Sequence, residues 1–234
     1  MTQGQWIQRV VKPVAFGASL LPLADLVRDI IRSDLGANPI EEITHRTGLT
    51  ALTFLAITLG VTPLRRLLSL NALVHVRRMF GLYVFFYATL HFTIYWLDRA
   101  VFSGEGLSMG IVLEDIAKRP YVTVGFTAFV MLVPLAVTST AGWVKRLGSK
   151  RWQRLHQLVY VAAALGVLHF LWLVKADVRR PVTYGLVLVG LLGWRLVVTR
   201  LAGSRRAGDL GRLVQARSPL RATPAFLSEA ERQQ

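Results

Sequence analysis

The segment RWQRLHQLVYVAAALGVLHFLWLVK, residues 151–175, decides the fold class of this chain. A basic edge leads into about twenty mostly apolar positions, the length that a helix needs to cross a bilayer at about 1.5 Å per residue. Two histidines, His156 and His169, interrupt the run. An ionisable side chain inside a membrane span is costly, so both are candidates for function. They are 13 residues apart, roughly 20 Å along a helix, which places one near each face of the membrane.

The rest of the chain repeats this apolar pattern. Of its 234 residues 53% are hydrophobic, and separate runs near twenty residues with almost no charge are typical of membrane helices. We therefore predict an all-α integral membrane protein, a bundle of six helices. The predicted organisation is a cytoplasmic amino-terminal segment 1–12, a membrane domain 13–200 and a basic cytoplasmic tail 201–234, which is disordered or lies on the membrane surface. The predicted spans are residues 13–31, 48–64, 79–98, 121–140, 155–174 and 181–199.

The net charge of +15 is distributed unevenly. When alternate connections are assigned to one face, that face holds 19 of the 28 Lys and Arg residues and three acidic residues. The other face holds nine Lys and Arg residues and ten acidic residues. The positive-inside rule then places both termini in the cytoplasm. Topology and anionic membrane lipid account for the charge. Nucleic-acid binding is excluded because the sequence has no basic, aromatic-rich soluble module.

The sequence contains no cysteine, which excludes cysteine-ligated iron–sulfur clusters, covalently attached c-type haem and disulfides. It also lacks a Gly-x-Gly-x-x-Gly motif after a strand, so a nucleotide-dependent electron donor would be another protein. If the chain carries electrons, it does so on a cofactor that is held noncovalently.

Two histidines lie at matched depth on different predicted helices. His91 is 13 residues beyond Arg78, and His169 is 15 residues beyond Arg154. Both helices run outward in the predicted topology, so both imidazoles lie in the outer half of the membrane. Imidazoles on two facing helices can bind a haem iron from both sides, and the pair predicts a b-type haem site.

The inner half of the membrane has one clear histidine, His156. Its partner in a second haem site could be His75. Alternatively, His156 could hold a flavin or quinone beside Arg77 and Arg78, whose guanidinium groups suit a phosphate such as that of FMN, or it could have no ligand at all. On an ideal helix His156 and His169 point about 140° apart, so either a bulge near Gly166 shifts the phase or the two sites face different helices.

His45 precedes the second predicted span on the outer side. We expect it to cap that helix, to face a periplasmic partner or to be a surface residue without a further role. His75 is likewise expected at the surface, outside the hydrocarbon.

Several segments resemble the MsrQ (formerly YedZ) family of haem-binding membrane subunits, part of the ferric-reductase-like transmembrane group that includes NADPH oxidases. The resemblance covers roughly residues 35–180. The segments are LGANPIEEITHRTGLTAL (35–52), TPLRR (62–66), RRMFGLYVFFYATLHFTIY (77–95), RPYVTVGF (119–126) and TSTAGWVKRLGSKRWQRLHQLVYVAAALGVLHFLWLVK (138–175).

The resemblance implies a membrane subunit with b-type haem and an association with FMN. It implies that electrons pass from a cytoplasmic flavin reductase or the quinone pool to the periplasmic molybdopterin subunit MsrP, which reduces methionine sulfoxide in oxidised proteins. The haem ligands of the family correspond to His91, His156 and His169. The wider group has two matched histidine pairs, whereas Arg77 stands 14 residues before His91 here, which leaves the inner pair incomplete.

The sequence thus predicts an electron-transfer subunit that leaves the reduction of methionine sulfoxide to its partner, which docks on the 32–47 and 99–120 loops. Two alternatives stay open at this point. One is a transmembrane ferric or metal reductase acting alone, and the other is a haem-free, transporter-like membrane subunit.

Overall fold

The computed structural model describes residues 3–69, 73–102 and 109–216, and these residues form helices joined by short connections. In chain order the elements are α1 Gln3–Trp6, a π-helical turn Ile7–Val11, α2 Lys12–Arg32, α3 Pro39–Leu67, α4 Val74–Phe102, α5 Met109–Lys118, α6 Pro120–Val137, α7 Ala141–Leu147, α8 Ser149–Leu155, α9 Leu158–Leu173 and α10 Arg179–Ala216.

Six helices in the described ranges are long and apolar enough to cross a membrane. Each overlaps one predicted span, which confirms the all-α integral membrane fold. Helices α2, α3, α4 and α10 extend beyond the predicted spans because their flanking residues also favour helix, whereas α6 ends three residues before its predicted end and α9 begins three residues after its predicted start. Helix α3, for example, begins nine residues before its predicted span, with Pro39 in the first turn and Glu41 and Glu42 beside it. Proline and acidic residues both stabilise a helix amino terminus.

Three segments predicted as connections or tail contain helices. Within the 99–120 loop, residues 109–118 form α5, whereas residues 103–108 lie outside the described residues. The 145–154 linker contains parts of α7 and α8, separated by Gly148. The φ angle of Gly148 is 72°, a conformation that suits glycine because a Cβ would be strained there.

The segment predicted as the basic tail begins as a helix. Helix α10 continues to Ala216, so residues 201–216 are helical, and residues 217–234 lie outside the described residues. Extending an existing helix through Leu-, Ala- and Arg-rich sequence costs little, because nucleation has already occurred. The chain divides into two compact units, residues 1–191 and 192–234, and the site described below belongs to the first.

Two antiparallel helix pairs, α3 with α4 and α6 with α9, make the most extensive contacts. The core between α3 and α4 is aromatic. The ring of Phe54 stacks on Tyr87 at 5.5 Å and on Tyr83 at 5.6 Å. The hydroxyl groups of these tyrosines donate to backbone carbonyls of α2, from Tyr87 to Ser19 at 2.7 Å and from Tyr83 to Phe16 at 3.0 Å. These bonds attach α2 to the pair.

Large apolar side chains cover much of the outer surface of the helices. Ile31 is 78% exposed, and Leu186 and Val189 are each 68% exposed. In water such a surface would associate or aggregate, whereas in a bilayer it contacts lipid. The exposed apolar surface therefore agrees with the membrane fold and leaves the interior of the bundle for the functional site.

Candidate functional site

The two histidines at matched predicted depth lie side by side. His91 projects from α4 and His169 from α9, and their ring centres are 6.1 Å apart with the planes at 78°. Each pair of antiparallel helices thus contributes one imidazole to the same point in the bundle. The structure therefore brings together the two histidines that the sequence placed at matched depth.

Both imidazoles are anchored in the same way. The Nδ1 atom of His91 lies 2.8 Å from the carbonyl oxygen of Thr44 on α3, and that of His169 lies 2.7 Å from the carbonyl oxygen of Tyr121 on α6. A carbonyl can only accept, so each Nδ1 carries the proton and donates it. In a neutral ring Nε2 then keeps its lone pair, the arrangement seen in metal-ligating histidines, whose other nitrogen is bonded to a carbonyl or carboxylate.

The distance between the rings fits one ion between them. An imidazole nitrogen binds a transition-metal ion at about 2 Å and lies about 1 Å from its ring centre, so two rings on opposite sides of an ion have centres about 6 Å apart. The observed 6.1 Å matches this value. Two anchored imidazoles on facing helices are the donor set of a bis-histidine haem.

A cavity of about 960 Å³ surrounds the two histidines and extends to the ends of four helices. Its wall is mainly apolar. Phe92 stacks on Phe129 with ring centres 5.1 Å apart and lies 5.6 Å from Phe126. The volume is at the upper end of small-molecule and cofactor sites. At the end that we call the cavity mouth, the lining residues are polar: Asn38, Glu41, Asp98, Arg99, Arg119, Lys175 and Asp177.

The donor set is too small for a bare structural metal site. Across residues 3–69, 73–102 and 109–216, no three His, Cys, Asp or Glu side chains gather closely enough to hold a metal ion. A structural zinc site needs four such ligands. Two imidazoles in a large apolar cavity fit a metal whose remaining ligands come from a macrocycle.

A buried carboxylate organises the cavity mouth. The Asp115 side chain on α5 is 7% exposed and pairs with Arg119 Nε at 2.7 Å and with Arg99 Nε at 3.1 Å. It also accepts a short hydrogen bond from the hydroxyl of Tyr95. The Arg119 guanidinium donates to the Tyr121 hydroxyl as well, which raises the pKa of Arg119. The cluster joins α4, α5 and the start of α6 beside the histidine site.

His156 occupies a separate environment. It lies where α8 ends, and its ring stacks on Trp152 with centres 3.9 Å apart. The indole of Trp152 donates to the carbonyl of Thr138 at 2.9 Å, which attaches α8 to the end of α6. The Nε2 atom of His156 is buried and has no hydrogen-bond partner within the described part of the chain.

The two arginines predicted for the inner site are near His156. Arg77 and Arg78 lie within electrostatic range of its ring. Of the two alternatives for the phase of His156, the bulge near Gly166 is not observed, because α9 runs unbroken through that residue. The interruption lies instead at residues 156 and 157, between α8 and α9, so His156 is not held in the helical phase of His169. His156 does not line the cavity of the other two histidines.

The expectations for the remaining histidines meet different outcomes. His45 is neither a cap nor a loop residue, because α3 begins six residues earlier. It lines the cavity, with its ring 5.6 Å from that of Phe170. Pro39 and the acidic first turn, which start α3 early, explain the difference. His75 is in the first turn of α4, and its side chain lies outside the described residues.

Sequence reasoning missed Gly48 and Gly125, which lie directly against His91 and His169. A signal for them is nevertheless present as a repeated pattern. The segments GLTAL (48–52) and GFTAF (125–129) each precede a segment LHF, at residues 90–92 and 168–170. The similarity between these two five-residue segments is weak, and it becomes noticeable only when the structure shows that the glycine of each segment packs against a histidine.

Comparisons with known proteins give the family. A model of the family described as "Ferric reductase like transmembrane component" matches residues 46–167, which include His91 and His156 and end just before His169. This range includes all of α4 and α6 and most of α3 and α9.

Several curated relatives carry the name "Protein-methionine-sulfoxide reductase heme-binding subunit MsrQ". One from Herminiimonas arsenicoxydans is 51% identical over 186 residues, 78% of this chain and 83% of the relative. One from Xanthomonas campestris pv. campestris (strain B100) is 54% identical over 172 residues, which are 73% of this chain and 75% of the relative. One from Xanthomonas oryzae pv. oryzae (strain MAFF 311018) is 49% identical over 193 residues, which are 80% of this chain and 85% of the relative. At this identity and coverage, the chain belongs to the MsrQ family of membrane redox subunits.

Proposed function

We propose that this membrane subunit binds b-type haem between His91 and His169 and delivers electrons to a periplasmic methionine sulfoxide reductase, MsrP. The observation that carries the proposal is the matched anchoring of the two imidazoles, with ring centres 6.1 Å apart and each Nδ1 on a backbone carbonyl. The names of the relatives, which call them heme-binding subunits, support it independently.

Haem supplies one-electron redox chemistry when it is bound. The residues of this chain hold and orient it. The carbonyls of Thr44 and Tyr121 fix the tautomer of the two ligands. Phe92, Phe126 and Phe129 form an aromatic wall that would exclude water from the porphyrin plane. Exclusion of water and a fixed orientation of the ligands both affect the reduction potential of a haem.

We further propose that His156, Arg77 and Arg78 form an inner cofactor site for a second haem or for FMN. The Nδ1 atom of His156 lies 3.2 Å from the carbonyl oxygen of Trp152, so the buried Nε2, which has no well-formed hydrogen bond within the described ranges, is the atom that would bind a ligand. The two arginines would pair with an anionic group, either a phosphate or a propionate.

The charge distribution supports an orientation in the bacterial inner membrane with both termini in the cytoplasm. The connections at the cavity mouth belong to the face with nine basic and ten acidic residues. The opposite face has 19 basic and three acidic residues. By the positive-inside rule the cavity mouth would face the periplasm. Electrons would enter at the inner site from the quinone pool or a cytoplasmic flavin reductase, and MsrP would dock over the mouth.

The inner site gives a prediction that separates it from the outer one. In the double variant Arg77→Ala/Arg78→Ala we expect weaker binding of FMN, quinone or donor, with the spectrum of the His91/His169 haem unchanged. Loss of two charge-assisted contacts would reduce affinity by about tenfold or more. Flavin titration followed by fluorescence, with absorbance spectra of the same samples, measures both effects. Lys145→Ala/Arg146→Ala on α7 is a control of equal charge change. Loss of all haem in the arginine variant would contradict the proposal.

The function itself is tested in liposomes or nanodiscs containing the purified subunit, a chemically reduced quinone and purified MsrP. We expect oxidation of the quinol and reduction of a methionine sulfoxide peptide only when both proteins are present. Reduction of ferric chelates at a comparable rate without MsrP would favour a metal reductase acting alone. A purified subunit without a Soret band, even after growth with added haem, would favour a haem-free membrane subunit.

A further inference from the structure

Two glycines lie where any side chain would collide with the histidines. A Cβ built on Gly48 of α3 would lie 2.9 Å from Nδ1 and 3.0 Å from Cε1 of His91. A Cβ built on Gly125 of α6 would lie 2.7 Å from Nδ1 and 2.9 Å from Cε1 of His169. These distances are well inside van der Waals contact. Each imidazole therefore packs directly on the bare backbone of the neighbouring helix.

The glycines explain how the imidazoles reach their carbonyls. Thr44 is four residues before Gly48, and Tyr121 is four residues before Gly125. In an α-helix the carbonyl at this position accepts the N–H of the glycine itself. It has a second lone pair, which the histidine can use only by approaching closely over the glycine. The absence of a Cβ thus permits the 2.8 Å and 2.7 Å bonds to Nδ1.

The same arrangement occurs twice in sequence and in structure. GLTAL (48–52) precedes LHF (90–92), with 43 residues from glycine to histidine, and GFTAF (125–129) precedes LHF (168–170), with 44. The first set lies on the pair α3 and α4, and the second on the pair α6 and α9. Two matched units of glycine, carbonyl and histidine face each other across the site.

We infer that Gly48 and Gly125 are paired positioning residues that hold the two haem ligands in place and set the reduction potential of the iron. This inference rests on the proposed function and goes beyond it, because it assigns a role in tuning to residues that do not touch the iron. A bond from Nδ1–H to a carbonyl makes Nε2 a stronger donor. Stronger donation favours the oxidised iron and lowers the reduction potential.

The test is substitution of each glycine, Gly48→Ala and Gly125→Ala, in the full chain. The added methyl group displaces the ring, and the hydrogen bond to the carbonyl lengthens or breaks. We expect the haem content to fall by at least half or, where haem is retained, the midpoint potential to rise. Pyridine haemochrome assays and potentiometric titration measure the two. Gly60→Ala and Gly81→Ala are matched controls on α3 and α4, because a Cβ there meets only side-chain methyl groups, of Leu191 at 3.9 Å and of Thr58 at 3.8 Å.

Wild-type haem content together with an unchanged or lower potential in both variants would overturn the inference. Changes of the same size in the two control variants would overturn it as well. If wild-type protein lacks haem, the proposed function fails instead, so the two failures are distinguishable.

If a glycine variant does not fold, a double substitution shows whether the collision with the histidine ring is the cause. If Gly48→Ala gives no monodisperse protein because its methyl group collides with the ring, Gly48→Ala/His91→Ala removes the collision and restores the yield. The same holds for Gly125→Ala/His169→Ala. Recovery of the apoprotein in these double variants supports the inference, whereas failure of both would show that the glycines serve helix packing alone.

Discussion

His91→Ala and His169→Ala are each expected to abolish haem binding at the cavity site. With one imidazole removed, the proposed haem would lose one of its two protein ligands, and the partner histidine would keep only its bond to Thr44 or Tyr121. Changes around a metal ligand cost about 10- to 100-fold in affinity, so loss of the ligand itself should reduce haem occupancy of this site by more than about tenfold. The expected change is the loss of one haem per chain, whether or not the His156 site holds another. The pyridine haemochrome assay on purified, monodisperse protein measures it.

His45→Ala is the matched control for these variants. His45 lines the same cavity and packs against Phe170, yet it has no place in the proposed ligand pair. We expect its haem content to remain near wild type. If haem survived at full occupancy in both His91→Ala and His169→Ala, the pairing of these two histidines would be wrong.

Asp115→Ala is expected to cause the second large effect, a loss of stability at the cavity mouth. The substitution leaves the Tyr95 hydroxyl and the guanidinium groups of Arg99 and Arg119 without their shared carboxylate. Breaking a buried pair costs about 3–5 kcal/mol. The two arginines are 34% and 43% exposed, so water replaces part of the loss, and we expect about 2–3 kcal/mol. For a chain of this size the melting temperature would fall by roughly 5–10 °C.

Glu114→Ala provides the control for Asp115→Ala on the adjacent residue. Glu114 pairs with Lys118, and the two side chains are 61% and 71% exposed. An exposed i,i+4 pair contributes about 0.3–0.5 kcal/mol, so the melting temperature should change by roughly 1–2 °C. Thermal unfolding in detergent compares the two variants. Equal shifts would show that the buried carboxylate does not hold α4, α5 and α6 together.

The membrane fold was predictable from the sequence because hydrocarbon sets a length that apolar runs reveal directly. All six spans overlap observed helices. Helix ends were less predictable, because polar residues beyond the apolar run continue α3 and α4 without an apolar signal. Helix α5 was missed since its ten residues are too few to span a membrane, and its place depends on Asp115, whose partners come from α4 and from Arg119 just before α6.

The pairing of His91 and His169 was predictable from depth alone, because both helices could be counted from a basic edge. The manner of their anchoring was not. The acceptors are backbone carbonyls, which every residue has, and only packing selects those of Thr44 and Tyr121. The phase of His156 was not predictable either, since the break at residues 156 and 157 lies in a sequence without proline or glycine.

The structure thus joins two similar helix pairs, each with one histidine anchored over one glycine, into a single cavity. In the proposed function, the two similar units would each supply one imidazole to the haem iron. This construction also leaves the basic face of the bundle, with Arg77, Arg78 and His156, for a different partner. Substitutions can therefore alter the proposed His156 site and the proposed His91/His169 site separately.

The most direct measurement of the central claim is the number of b-type haems per chain. Purified wild-type protein from haem-replete membranes is assayed by pyridine haemochrome against protein concentration, with reduced-minus-oxidised spectra. The account predicts at least one b-type haem per chain. A second haem would assign one to the His156 site, and a single haem would leave that site to FMN or another ligand. Protein without any haem would contradict the account.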